Sequence, residues 1–258
     1  MKITILGSGT SVGVPQIGCT CKVCTSSDPR DKRLRCSGLV ETNGVRILID
    51  CGPDFREQML RLNDFRPIDG VLVTHEHYDH VGGLDDLRPF CSFREIPVCA
   101  EDYVADRLQS RMPYCFIKHP YPGIPHIPLT RLRAGESFAL SNGEGRRVEI
   151  MPFRVLHGQL PILGYRIGQM AWITDMLTLP EESYSYLQGL DCLIMNALRF
   201  EKHWTHQSLS EALEKAKRIG ARETYFIHMS HDIGLHAETS ALLPEHIHLA
   251  YDGMEIML

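Results

Sequence analysis

The chain has 258 residues, 43% of them hydrophobic and 23% charged, enough to bury a substantial core in a single domain spanning residues 1–258. Its formal net charge of −5 leaves no basic footprint for a long polyanion, so stable nucleic-acid binding is not expected and a small substrate fits better. No apolar run approaches the roughly 20 residues that cross a bilayer, so no membrane span is expected, and nine cysteines without a secretory leader point to a reducing, cytoplasmic setting.

Residues 3–6 predict a first strand, followed by Gly7-Ser8-Gly9-Thr10-Ser11-Val12-Gly13. A glycine-rich turn after a strand can cradle a dinucleotide, but Pro15 and three cysteines follow where the required helix should begin, so a nucleotide cofactor is excluded. Cys19, Cys21 and Cys24 gather three thiols. Three thiolates lack one donor for tetrahedral zinc, and His231 can complete a closed Cys₃His site, structural because no position is left for water. The alternatives are a disulfide, disfavoured without a leader, or free thiols. Cys36, Cys51, Cys91, Cys99, Cys115 and Cys192 read as small core residues or spare thiols.

Further strand-like runs follow at residues 45–49, 71–74, 148–151, 171–174, 192–195 and 225–227, with helical segments between them, an α/β pattern. Residues 209–219 predict the clearest helix: Leu209, Ala212, Leu213 and Ala216 share a face, Ser208 with Glu211 makes a capping box, and Gly220 stops it. The stretch 111–128, with five prolines, predicts a long ordered loop: a substrate-access element by preference, with a contact in a homodimer or a plain surface loop as the alternatives.

The most informative segment is His75-Glu76-His77-Tyr78-Asp79-His80, directly after the apolar Val71-Leu72-Val73. Imidazole and carboxylate are the donors that suit Zn²⁺ or Mn²⁺ where a site must keep exchangeable water positions. His75 and His77, two apart on an extended segment, can face one ion. Asp79 and His80 can turn toward a second where Val81-Gly82-Gly83-Leu84 begins a helix.

His-x-His-x-Asp-His after a strand resembles the defining motif of the metallo-β-lactamase superfamily. The resemblance implies an αββα four-layer sandwich and later ligands at strand ends, here His157, Asp175 and His228. It further implies that His75, His77 and His157 hold one divalent ion, that Asp79, His80 and His228 hold another, and that Asp175 bridges both. Asp50 matches the family's earlier acidic residue, which orients the metal loop through hydrogen bonds. With the thiol cluster, Arg35-Cys36-Ser37-Gly38, Lys118-His119-Pro120, His228-x-x-His231 and the ending Tyr251-Asp252-Gly253-Met254-Glu255-Ile256, the chain resembles the PhnP phosphodiesterase branch. That branch implies hydrolysis of a small cyclic phosphodiester, 5-phosphoribosyl 1,2-cyclic phosphate, with two catalytic metal ions (Zn or Mn) and one structural Zn.

Paired cations 3.5 to 4 Å apart can lower the pKa of a shared water to near 7, so no protein nucleophile is required. Expelling an alkoxide calls for a proton donor or a cation, and His206 lies where the resembled family places a non-ligand histidine. Its expected role is general acid or phosphate contact, with His203 as rival and Arg199 as a further phosphate contact. A ribonuclease-Z-like nuclease is the main alternative, but its tRNA-gripping arm cannot fit in the 17 residues between His157 and Asp175. A non-catalytic binding or cofactor-biosynthesis protein on the same fold would be expected to have lost metal ligands, and all seven are here. The full Asp79 and Asp175 set also argues against β-lactam and thioester hydrolysis.

Overall fold

A computed structural model describes residues 1–116 and 123–258. Among these, fourteen strands form two seven-stranded mixed sheets. The strands are β1 (Lys2–Gly7), β2 (Ser37–Thr42), β3 (Val45–Ile49), β4 (Gly70–Leu72), β5 (Val98–Glu101), β6 (Leu129–Leu132), β7 (Phe138–Ser141), β8 (Arg147–His157), β9 (Leu160–Ile167), β10 (Met170–Ile173), β11 (Cys192–Asn196), β12 (Glu223–Ile227), β13 (Ile247–Leu249) and β14 (Glu255–Met257). The spatial order is β14-β1-β2-β3-β4-β5-β6 in one sheet and β13-β12-β11-β10-β9-β8-β7 in the other. Five helices, α1 (Phe55–Leu62), α2 (Tyr78–Val81), α3 (Asp102–Arg111), α4 (Leu209–Ile219) and α5 (His236–Ser240), join them.

The side chains of single strands show why the layers stack as they do. In β3, Ile47 and Ile49 enter the core shared by the two sheets, while Leu48, facing the other way, packs with Phe55 and Met59 of α1. In β11, Cys192 and Ile194 enter the same shared core and Leu193 and Met195 pack with Leu209, Ala212 and Ala216 of α4. Strands apolar on both faces demand cover on both faces, and the αββα sandwich supplies it. The sheets approach closely at Gly38 of β2: a Cβ there would meet Trp172 of β10 at 2.4 Å, so only glycine lets the buried indole seat.

α4 follows its sequence signals. Ser208 accepts from the Glu211 amide, Glu211 accepts from the Ser208 amide at 2.8 Å, and Gly220, with φ 69°, ends the helix in the left-handed region. Leu213 is only half-buried, and Ile219 takes the fourth buried position beside Leu209, Ala212 and Ala216. The metal-loop helix departs from expectation: it begins at Tyr78 and ends at Val81, because extended His77 (ψ 147°) sets its start.

The 111–128 stretch begins with the last residue of α3 and a short 3₁₀ turn, Pro113–Phe116; Lys118, His119 and Pro120 lie outside the described residues. Arg111 donates to the Glu76 carbonyl at 2.5 Å and lies 3.1 Å from its carboxylate, tying the start of this stretch to the histidine-rich loop. No helix among the described residues is long and apolar enough to cross a membrane.

Candidate metal centre

β3 runs parallel to β4, and β10, β11 and β12 are mutually parallel, so their C-terminal ends gather at one end of the sandwich. That is where open α/β sheets build sites. Three residues just past these ends, Asp50 after β3, Asp175 after β10 and His228 after β12, have φ of 57°, 57° and 56°. A left-handed conformation costs a residue with a Cβ about 1–2 kcal/mol. Here it turns each side chain sharply inward.

The inward side chains form two donor groups, His75, His77, His157 and Asp175, and Asp79, His80, Asp175 and His228, whose ligand atoms within each group lie within 4.8 Å of one another. His75 Nε2 and His77 Nδ1 are 3.0 Å apart. Two donors on one tetrahedral zinc, with bonds of about 2.0–2.1 Å, sit about 3.3 Å apart. Asp175 belongs to both groups: Oδ2 is 3.7 Å from His75 Nε2, and Oδ1 is 3.3 Å from His80 Nε2 and 3.2 Å from His228 Nδ1. Its Oδ1 also accepts from Thr174 Oγ1 at 2.7 Å.

Surrounding groups fix which nitrogen each imidazole offers. Asp50 accepts from the Thr74 amide at 2.8 Å, from Thr74 Oγ1, and from His80 Nδ1 at 2.7 Å, leaving His80 Nε2 aimed at the centre. His157 donates from Nδ1 to the Thr205 carbonyl at 2.9 Å, freeing Nε2. Thr10 Oγ1 lies 3.5 Å from His228 Nε2. Asn196 holds the Asp175 turn from behind, bonding both the amide and the carbonyl of Met176 at 2.8 and 3.0 Å. Thr10, Thr205 and Asn196 escape sequence reasoning because nothing local distinguishes them; the nearest hint is Asn196, a polar residue ending the apolar run 192–195.

The electrostatics fit divalent cations. Asp50, Asp79 and Asp175 are buried together with imidazoles and without lysine or arginine within ion-pair distance among the described residues. Burial pushes His75 well below the ordinary histidine range. Burial also opposes charge on His80, but Asp175, Asp79 and Asp50 outweigh it and hold this imidazole well above that range. Burial works against the charged form of Asp79 too, yet His80 and His228 keep it below the usual carboxylate range. His80 Nε2 and His228 Nδ1 are buried with no hydrogen-bond partner. Unpartnered nitrogens beside buried carboxylates are the environment of a metal ion, and the residues present fit two.

The thiol cluster converges as well. The Sγ atoms of Cys19, Cys21 and Cys24 lie 3.2, 3.3 and 3.6 Å from His231 Nδ1, close to the roughly 3.5 Å between sulfur and nitrogen on one tetrahedral zinc. All nine cysteines are free thiols. The Cys24 amide, donating to Cys21 Sγ, brings that thiol down to about 6, whereas burial raises Cys24 to about 11. A closed Cys₃His set fits one structural zinc.

His206 stands beside the strand-end cluster, its ring 4.5 Å from that of His157 and 5.0 Å from that of His228, with Nδ1 4.0 Å from Asp175 Oδ2. Burial drives its pKa down to about 3, against the pull of Asp175, so the resting imidazole is neutral. His203 lies farther out, its ring 5.2 Å from that of His206 and its Nδ1 engaged by Thr205. The Arg199 guanidinium is turned to the carbonyls of Glu201 and Lys202, away from a free phosphate-binding pose. A concavity of about 600 Å³ lies at the opposite strand ends, and its arginines are paired: Arg46 and Arg66 with Asp64, and Arg94 with Asp69.

Residues 45–229 match the model of the β-lactamase superfamily domain. The crystal structure of a diphosphatase from the PhnP family superposes with a TM-score of 0.88 at 40% identity, over 99% of this chain and 96% of that one. Zn(2+)-bound PqqB from Methylobacterium extorquens superposes with a TM-score of 0.81 over the whole of both chains at 20% identity, a likeness of fold. An octanoyltransferase of Porphyromonas gingivalis is 46% identical over 260 residues, which take in all of this chain and 52% of that protein; the chain thus spans about half its length. The strand-end cluster, the two-sheet sandwich and these likenesses agree, and the chain belongs to the metallo-β-lactamase superfamily, beside the PhnP family.

Proposed function

We propose that the chain hydrolyses a small phosphodiester or diphosphate. The observation that carries this is Asp175, whose carboxylate lies between His75 on one side and His80 and His228 on the other. When bound, two divalent ions supply an activated water near neutral pH and neutralise phosphate oxygens. The protein's part is to hold the donors: Asp50 fixes His80, Thr205 fixes His157, and Asn196 fixes the Asp175 turn. Likeness to PhnP points first to 5-phosphoribosyl 1,2-cyclic phosphate. The diphosphatase neighbour supports a diphosphate, whose phosphorus likewise carries two substituents. Octanoyl transfer is not carried over, since the P. gingivalis protein has as much chain again outside the matched half. The 17 residues between His157 and Asp175 are taken up by β9 and β10, which supports a small substrate over a tRNA. The test is turnover by the metal-loaded protein of ribosyl cyclic phosphate, bis-p-nitrophenyl phosphate, a dinucleoside diphosphate, a phosphomonoester and a β-lactam. Hydrolysis confined to the last two would overturn the reading.

A neutral His206 suits a hydrogen bond to a phosphate oxygen better than delivery of a proton from an imidazolium. His206→Ala is expected to lower kcat/KM by about 10²-fold, the scale of losing one donor to a developing anion, equally for nitrophenyl and alkyl diesters, with both ions retained. A loss confined to poor alkoxide leaving groups would make it the general acid instead.

A further inference from the structure

Large apolar side chains are exposed on the loops that carry the metal centre. Trp204 is 91% exposed, Tyr78 67% and Val12 49%. Tyr78 follows His77, Val12 lies two residues from Thr10, and Trp204 lies between His203 and Thr205, two residues before His206. The backbone under Trp204 is anchored: the Thr205 carbonyl accepts from His157, the Thr205 amide and hydroxyl bond His203, and a Cβ on Gly158 would come within 3.1 Å of Thr205. An indole with two rotatable bonds, on backbone tied to a metal-ligand residue and nearly all in solvent, presents a flat face on which a planar group can stack. The arginines on the same loops are already engaged, Arg111 with Glu76 and Arg199 with backbone carbonyls. The charged part of a substrate is thus left to the metal centre, and its uncharged arm to the aromatic surface.

We propose that Trp204 is a specificity-determining residue on which a planar ring of the substrate stacks, so that the preferred diester or diphosphate carries a nucleoside. This rests on the phosphodiester reading of the site. A flat π-face accepts any base in stacking, whereas a phosphoribose without a base leaves the indole uncovered.

The full-length, metal-loaded protein is assayed on thymidine 5′-(p-nitrophenyl phosphate), methyl p-nitrophenyl phosphate and octyl p-nitrophenyl phosphate, which share charge and leaving group. The wild type is expected to favour the thymidine ester over the methyl ester about tenfold in kcat/KM, mainly through KM. Trp204→Ala should bring that ratio to about one, and Trp204→Phe should restore most of it. A preference for the octyl ester, lost in Trp204→Ala, would overturn the planar-ring assignment in favour of an alkyl arm. So would a thymidine-to-methyl ratio unaffected by Trp204→Ala. Binding is read separately by fluorescence during titration with thymidine 5′-monophosphate. The chain has two tryptophans and Trp172 is fully buried, so quenching that disappears in Trp204→Ala reports stacking directly. If no ester turns over but this quenching persists, the phosphodiesterase reading fails and the ring site stands; absence of quenching overturns the site.

Discussion

Asp175→Ala is expected to remove hydrolysis of bis-p-nitrophenyl phosphate and to leave at most one of the two active-site ions bound. Asp175 is 2% exposed, held in the left-handed region by its turn, and lies within 3.7 Å of donors from both histidine groups. No other carboxylate in the two groups is shared by both. The loss should far exceed the roughly 10- to 100-fold expected for Asp50→Asn, which removes only an orienting partner of His80. Circular dichroism checks that the fold survives, and metal analysis counts the ions. Unchanged turnover in Asp175→Ala would sink the two-ion reading.

The second large effect concerns stability. Cys21→Ser is expected to cost about one zinc per chain and to lower the unfolding temperature by many degrees, because a closed zinc site contributes its binding free energy directly to folding. The cluster has little else to hold it: Val14, Val23 and Cys24 are its buried apolar residues, with Cys19, Cys21 and Leu235 packed at the side. So small a core needs a metal staple. Activity per folded molecule should fall less than stability does, since the segment near Thr10 is also tied down by backbone bonds between Thr10 and Met229 and between Met229 and Ser8. Unaltered zinc content in the folded variant would show that Cys19, Cys21, Cys24 and His231 are not a zinc site.

His75, His77, Asp79 and His80 were legible because six consecutive residues carry them, and α4 because its cap, face and stop are all local. His157, Asp175 and His228 were reached only through family resemblance. A lone polar residue at a strand end looks alike whether it binds a metal or a neighbouring amide, and the left-handed turns that aim Asp175 and His228 leave no mark in residue type. The partners that orient the ligands are farther still: Thr205 lies 48 residues from His157, and Thr10 lies 218 from His228. Pairing of β1 with β14 joins the two ends of the chain, which no local pattern encodes. β9 carries a weak sequence signal because Pro161 and Gly164 interrupt its apolar run; Pro161 falls near its start, and Gly164 leaves room for the Phe153 ring, whose nearest atom would be 2.6 Å from a Cβ. The low pKa of His206 depends on burial among His157, His228 and Asp175, and that appears only once three strand ends meet.

Anomalous diffraction from crystals of the protein prepared with zinc tests the two-ion centre most directly. Two peaks about 3.5 to 4 Å apart are expected, one against His75, His77 and His157, the other against Asp79, His80 and His228, with an Asp175 oxygen on each or one shared between them. A single peak, or two peaks with Asp175 bound to neither, would contradict it.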